Sequence, residues 1–294
     1  MDKRHLDTLI AAVRTGSFSK ASEELHCTQS AVTQSINALE NELNCKLLIR
    51  SHKGIVLSET GELLYPFVLE AEKSLALLQK QAIRLSAKKK RPLRIGAFSS
   101  IANTWLPKMI QRYQEIHADV EFDIRISTDQ LSAWLANGMI DIALGDSDRL
   151  KGFRFQPVME DIFYAVVPVC FPFDRQQTVA QDELAEFPFI MAPMNELDRQ
   201  LKCKPKRQVR VDCDDDYTLL SMVEQGLGAT VMPGLSLAGL HHEVSIHTLA
   251  PKVSRILGVA LPNVILPEVQ QFADFLKDNV ANCAQKSNPF RSIE

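Results

Sequence analysis

The sequence predicts a mixed α/β chain in three parts: a small winged helix-turn-helix at the N-terminus, one long linker helix, and a larger body of two α/β lobes. Three observations predict it. Residues 18–61 read as a short helix, a tight connection, a second helix and a basic hairpin. Residues 64–85 place apolar or small side chains at alternating spacings of four and three. From residue 93 short apolar strands alternate with amphipathic helices, the pattern of an open parallel sheet covered on both faces. At 294 residues the chain has room for two or three compact units.

The first helix is marked by Leu6, Leu9, Ile10 and Val13, an i, i+3, i+4, i+7 stripe that Gly16-Ser17 interrupts. A short helix over residues 20–25 follows, with Ser19 as its expected cap and Ala21 and Leu25 facing a shared core. His26-Cys27 is short enough to hold the next helix at a large angle. That helix starts from Thr28, whose hydroxyl can accept an orphan backbone N–H, and carries Val32, Ile36, Leu39 and Leu43 on its apolar side. Its other side presents Ser30, Thr33, Gln34, Asn37 and Asn41, where an ordinary exposed face would carry Lys and Glu. Short neutral donors and acceptors on a capped helix suit the base edges of a DNA major groove. Beyond it, Leu47-Leu48-Ile49 and Ile55-Val56-Leu57 flank a turn at Lys53-Gly54, a hairpin signal. Lys46, Arg50, His52 and Lys53 stand in that wing with no acidic residue, a charge suited to phosphate.

The linker repeats Leu64, Val68, Ala71, Leu75, Leu78, Ala82 and Leu85 in the manner of a coiled-coil seam. A helix over 59–87 would reach about 40 Å at about 1.5 Å per residue, enough to hold two reading domains apart across neighbouring grooves. The expectation is a dimer on a two-fold DNA site. Pro66 removes a helical hydrogen bond, so the reading expects a bend there or a later start to the helix. Residues 88–92, KKKRP, form the expected hinge.

In the body, LRIGAF (93–98) is a strand, residues 99–103 a loop, and residues 104–117 a helix with Leu106, Met109, Ile110, Tyr113 and Ile116 on one face. VEFDIRI (120–126) alternates strictly, Leu131 and Leu135 mark a helix stopped by Asn137-Gly138, and IDIALG (140–145) is a buried strand. The same pattern continues through FYAVVPV (163–169), FPFIMA (187–192), QVRVDC (208–213), a helix over 218–228, ATVMP (229–233) and ILGVALP (256–262).

Phe18, Ala21, Leu25, Gln29, Ser30, Ala31, Val32, Thr33, Ile36, Leu39, Glu40, Leu43, Arg50, Leu57 and Gly61 stand in the order and spacing of a known motif, and the segment resembles the N-terminal domain of LysR-type transcriptional regulators. Ser22, Leu48-Ile49 and Ser58 depart from the usual Ala, Leu-Phe and Thr, each by a small or apolar substitute. The resemblance extends over nearly the whole chain. It implies domains at 1–58, 59–87, 88–92 and 93–294, with a two-lobed effector domain of the type 2 periplasmic-binding-protein fold. Lobe one would take 93–163 and 265–285 and lobe two 164–264. The chain would leave lobe one near Asp161 to Val166 and return near Asn263 to Pro267, after which a helix with Val269, Phe272, Ala273, Leu276 and Val280 packs on lobe one.

The implied activity is sequence-specific regulation of transcription, modulated by a small-molecule effector between the lobes. Thr28, Gln29, Ser30, Thr33, Gln34, Asn37, Arg50 and Lys53 are the expected DNA contacts. In sheets of this kind ligands sit where strands end and helices begin. That rule names Ser99, Ser100, Ile101, Thr128 and Asp146 in lobe one and Ala192, Pro193 and Met194 in lobe two. A Ser or Thr before a helix can equally be a simple cap. Asp146 would disfavour an anionic ligand unless it is paired. The implied partners are double-stranded DNA, the effector, further copies of the chain as dimer or tetramer, and RNA polymerase.

Charge agrees with this division. The net charge is -3, yet residues 1–92 hold 14 Lys/Arg against 10 Asp/Glu and the remainder 19 against 26. The start MDKRHLDTL lacks an apolar signal core and no run approaches a membrane span, so the expectation is a cytoplasmic protein with no membrane partner, not a transported solute binder. Six cysteines show no C-x-x-C pair, His241, His242 and His247 lack further ligands, and neither a metal nor a cofactor is expected. Neither a G-x-S-x-G elbow nor a phosphate loop occurs, which argues against an enzyme. Cys203 and Cys213, beside Lys202, Lys204, Lys206 and Arg207, leave a thiol-responsive regulator as an alternative, and a DNA-architectural protein without a ligand is another.

Overall fold

The computed structural model describes residues 2–51, 54–86, 91–173, 178–191, 200–201, 205, 207–211, 215–238 and 243–284. They divide into two compact units, residues 1–89 and 90–294.

In the first unit, α1 (Lys3–Thr15) starts where the Asp2 carboxylate accepts the Arg4 N–H and stops at Gly16, whose φ of 64° is the left-handed conformation a C-terminal cap requires. Helix α2 (Phe18–Glu24) begins earlier than its apolar residues suggested. Ser17, not Ser19, takes the N-cap position, and the Ser19 hydroxyl instead donates to Gln29 Oε1 at 3.1 Å. Helix α3 (Gln29–Leu43) begins as expected, with Thr28 Oγ1 accepting the Ala31 N–H at 3.2 Å. Leu6, Leu9, Ile36, Leu39 and Leu47 form one buried cluster; Ala11, Ala12, Ala21 and Val32 form a second. Leu43, placed on the apolar stripe, is exposed.

The wing is β1 (Leu48–Ser51) paired antiparallel with β2 (Gly54–Leu57). The Ile55 N–H donates to the Gly16 carbonyl at 2.9 Å, and a Cβ on Gly54 would stand 2.5 Å from that oxygen. Helix α4 (Glu59–Ser86) runs 28 residues with Pro66 inside it, so the later start does not occur. Ser58 precedes it and joins it to the wing: its hydroxyl donates to the Lys46 carbonyl at 2.6 Å and accepts the Gly61 N–H at 2.9 Å.

The second unit is organised by one mixed sheet rather than by separate parallel ones. Its strands are β3 (Leu93–Ala97), β4 (Phe122–Ile126), β5 (Ile142–Asp146), β6 (Arg154–Pro168), β7 (Val179–Ala180), β10 (Thr230–Pro233), β11 (Val244–Ala250) and β12 (Ser254–Leu261), in the order β4-β3-β5-β12-β6-β11-β7 with β10 also on β6. Strands β8 (Phe189–Met191) and β9 (Gln208–Arg210) pair in parallel beside it. Strand β6 is the spine. Its first half pairs with β12 as far as Ile162, and its second half pairs with β10 and β11 from Phe163 onward.

Alternation along β6 divides lobe two into two cores. Phe163, Ala165 and Val167 face one cluster; Tyr164 and Val166 face the other. Helices α8 (Gln181–Leu184) and α9 (Asp216–Glu224) pack into these cores, and α10 (Gly234–Leu237) enters both lobes, with Leu237 in a lobe-two core and Leu235 in the lobe-one core. The lobe-one core gathers Ile95, Met109, Leu144, Val259 and Phe272 from β3, α6 (Leu106–Ile116), β5, β12 and α11 (Pro267–Ala284), together with Trp105 at the N-cap of α6. On α11, Val269, Phe272, Ala273, Leu276 and Val280 are all buried, as the spacing predicts.

Two differences from the sequence reading concern the lobes. Residues 99–103, read as a loop, form α5 (Ser99–Asn103), and α7 (Leu131–Ala136) follows β4 as expected. The return crossing lies earlier than 263–267. Strand β12 pairs with β5 and buries Leu257, Val259 and Leu261 in the lobe-one core, so the chain re-enters lobe one between β11 and β12. No helix among the described residues is long and apolar enough to cross a membrane.

Candidate nucleic-acid interface and ligand crevice

Helix α3 presents the uncharged face the sequence promised. Thr28, Gln29, Ser30, Gln34 and Asn37 are exposed and Thr33 is half-buried. Local hydrogen bonds order this face. Thr28 Oγ1 lies 2.9 Å from Ser30 Oγ, and the Thr33 hydroxyl donates to the Gln29 carbonyl at 3.0 Å. The bond from Ser19 uses the Gln29 carbonyl oxygen and leaves its amide nitrogen outside that pair. Arg50 lies on β1 opposite Ile55, and Lys53 lies outside the described residues.

Glu40 joins the reading helix to the wing. Its buried carboxylate accepts the N–H of Leu47 at 2.8 Å, the N–H of Leu48 at 3.2 Å and the Lys46 ammonium at 2.6 Å. Burial alone would raise its pKa; the Lys46 charge and the two backbone donors outweigh that and hold it below the usual Glu range. In the sequence Glu40 stands out only as a motif position, because a lone Glu at the end of a helix gives no sign of which donors it meets.

The seam expected on the linker is divided in the structure. Leu64, Val68, Ala71 and Leu75 pack against Leu6, Leu9 and Leu47 of their own unit, with Val68 only 6% exposed. Leu78 and Ala82 are exposed; the side chain of Leu85 lies outside the description. Among the described residues, the large apolar side chains that α4 leaves exposed are Leu63 at 71%, Phe67 at 68% and Leu78 at 64%. Four-three spacing reveals an apolar stripe but not whose core fills it.

The expected crevice residues do not share one environment. Ser99 opens α5 half-buried, Ser100 is buried with its hydroxyl 3.4 Å from Arg255 Nη2, and Thr128 is half-buried. Ile101 points into the lobe-one core instead. Asp146, expected to face a ligand, is buried and occupied. It accepts the N–H groups of Asp148 and Arg149 at 3.1 and 2.8 Å and the Arg149 guanidinium at 3.1 Å. Ala192, Pro193 and Met194 lie outside the described residues, as do Cys203, Cys213, His241 and His242.

The polar groups that meet between the lobes are ones the sequence reading did not select. Arg255 pairs with Asp161 at 2.9 Å, and Asp161 also accepts the Leu235 N–H at 3.0 Å. The guanidinium groups of Arg149 and Arg255 lie 5.7 and 5.5 Å from the Phe98 ring centroid. Asp216, half-buried at the start of α9, belongs to the same cluster. Burial pushes its carboxyl up and the charges of Asp215 and Asp161 add to that, against lowering by the Ser236 hydroxyl and Arg255. Among the described residues no group of His, Cys, Asp and Glu could hold a metal ion.

Residues 4–62 match the family described as bacterial regulatory helix-turn-helix protein, lysR family, and residues 86–281 match the LysR substrate binding domain. The probable HTH-type transcriptional regulator LrrA of Synechococcus elongatus is 31% identical over 290 residues, covering 94% of this chain and 97% of that one. An uncharacterized HTH-type transcriptional regulator of Bacillus subtilis, YvbU, is 26% identical over 88% of this chain and 91% of its own. Among solved structures, full-length BenM superposes with a TM-score of 0.57 at 20% identity, covering 96% of this chain and 97% of that one. Full-length CbnR in complex with its target DNA gives 0.51 at 19% identity, over 95% and 99%. At these identities the two structures speak for the fold.

Proposed function

The chain belongs to the LysR family of helix-turn-helix transcriptional regulators, and from that premise we propose that it reads a two-fold DNA site as a dimer and answers to a small molecule held between its lobes. The observation that carries the DNA half is the face of α3: Gln29, Ser30, Gln34 and Asn37 are exposed on a helix whose start is fixed by Thr28, and residues 29–37 contain no charge. In this reading those side chains and Thr33 meet base edges, while Arg50 and Lys53 hold the flanking phosphates. Leu63, Phe67 and Leu78 form the face of α4 that a second chain covers. Leu64, Val68, Ala71 and Leu75 serve the fold of their own unit.

The ligand half rests on Ser99, Ser100 and Thr128 at the ends of strands in the domain that matches the substrate-binding family. A ligand changes the DNA-bound state only by binding the two lobe arrangements unequally. RNA polymerase completes the set of partners in this reading. The test is selection from a random DNA library with the full chain, followed by thermal-shift screening against small metabolites. Enrichment of an inverted repeat, and a melting rise that Ser100→Trp abolishes without loss of operator affinity, support the reading. Failure to enrich any sequence at physiological salt removes it.

A further inference from the structure

One side chain touches both lobes at the point where the sheet passes from one to the other. Arg255 stands opposite Asp161 in the β6–β12 register, two positions before β6 takes up β10 as its partner. Its Nε and Nη2 donate to Asp161 Oδ2 at 3.0 and 2.9 Å. Asp161 Oδ1 accepts the N–H of Leu235 in α10, a helix that buries Leu235 in the lobe-one core and Leu237 in a lobe-two core. Toward lobe one, Nη2 reaches Ser100 Oγ at 3.4 Å and the guanidinium lies 5.5 Å from the Phe98 ring centroid; toward lobe two it lies 5.5 Å from that of Phe163.

Arg255 is 8% exposed and Asp161 3%, so both charges are out of water. Such a pair adds little net stability over apolar residues of the same volume, and its best-attested use is to fix a register or a switch. The guanidinium is a rigid planar fork, so its donors do not move independently. A turn of one lobe about the crossing strands lengthens one of these contacts, and the bond to Ser100 is already the longest of the three hydrogen bonds Arg255 makes. Ser100 lies on α5, which packs against α10, the helix that enters both cores.

We propose that Arg255 is the positioning residue that couples Ser100 to the orientation of the lobes. A ligand that hydrogen-bonds the Ser100 hydroxyl takes that oxygen from the guanidinium, and Arg255 then stays with Asp161 and lobe two. This rests on the reading of the crevice as the ligand site.

The experiment measures the distance between the lobes in the full chain, with spin labels on noncanonical residues placed at the exposed positions Lys108 and Asp182. Ser100→Ala, which leaves the ion pair intact, should shift the mean or broaden the distribution with no fall in melting temperature. The double variant Arg255→Met with Asp161→Leu leaves no unpaired charge behind, and should stay folded with a broader distribution still. A wild-type distribution in Ser100→Ala overturns the proposal, whether or not the double variant folds, and so does a wild-type distribution in the folded double variant. Metabolite response tests the underlying reading separately. Lobes that loosen in Ser100→Ala while no metabolite raises the melting temperature of the unsubstituted chain support the coupling and remove the ligand reading. Lobes that do not move in a chain still responsive to a metabolite do the reverse.

Discussion

The carboxylate of Glu40, three residues before the end of α3, accepts the backbone N–H of Leu47 at 2.8 Å, so the reading helix itself holds the first residues of the wing. Removing the side chain in Glu40→Ala orphans the N–H groups of Leu47 and Leu48, at a cost of about 1–3 kcal/mol for each donor left buried. Chemical denaturation of the 1–89 unit should show that loss. The pH dependence has a definite sign. The folded carboxyl titrates below the ordinary value of 4.5, so its stabilisation is complete above that value and is lost as pH falls through the lowered one. Glu40→Gln should flatten this acid limb in melting curves recorded between neutral pH and strong acid.

Gly61 is set by space, not by φ. A Cβ there would stand 2.1 Å from the Leu47 carbonyl oxygen, a backbone atom with no rotamer to escape into. Gly61→Ala should destabilise the unit by about 1–3 kcal/mol, the usual range for overpacking. Circular dichroism melting checks this, and an unchanged midpoint would mean that α4 can lift from the wing freely.

Phe67 and Val68 are neighbours with opposite surroundings, the first 68% and the second 6% exposed. Phe67→Asp should lower self-association while the monomer stays folded. Val68→Asp should unfold the N-terminal unit, because it buries a carboxylate among Leu6, Leu9 and Leu47. Sedimentation velocity with circular dichroism separates the two. If Val68→Asp gave a folded monomer instead, the seam read from the four-three spacing would be the one that meets the partner.

Gln34→Ala and Lys53→Ala divide base reading from phosphate contact. The first should cost about 1–3 kcal/mol on the selected operator and relax preference at one base pair. The second should weaken all sequences alike and reduce the salt slope of binding by about one unit. Binding isotherms on operator and scrambled DNA at several salt concentrations decide between them.

How much of this was legible in the sequence depended on how local the cause was. The start of α3 was legible because Thr28 caps Ala31 three residues away, and its buried side because Val32, Ile36 and Leu39 repeat with the helix. The extent of β6 was not. Glu160 and Asp161 break its apolar run, and what makes Asp161 tolerable there is Arg255, 94 positions later. Asp146 was legible as a strand-end residue, but its direction was settled by Arg149 and by the turn it caps. On α4 the stripe was legible but not its neighbours: periodicity fixes a face, and only the packed α1 shows that Leu64, Val68, Ala71 and Leu75 line the core of their own unit.

Residues 46–48 are gripped from two sides, by Glu40 at the end of α3 and by Ser58 and Gly61 at the root of α4. These contacts tie the base of the linker to the helix-turn-helix, so torque applied at its far end would turn the two together. In the proposed dimer, the choice among half-site spacings would then fall to the angle between the two α4 shafts, each head acting as a fixed tool at the end of its handle.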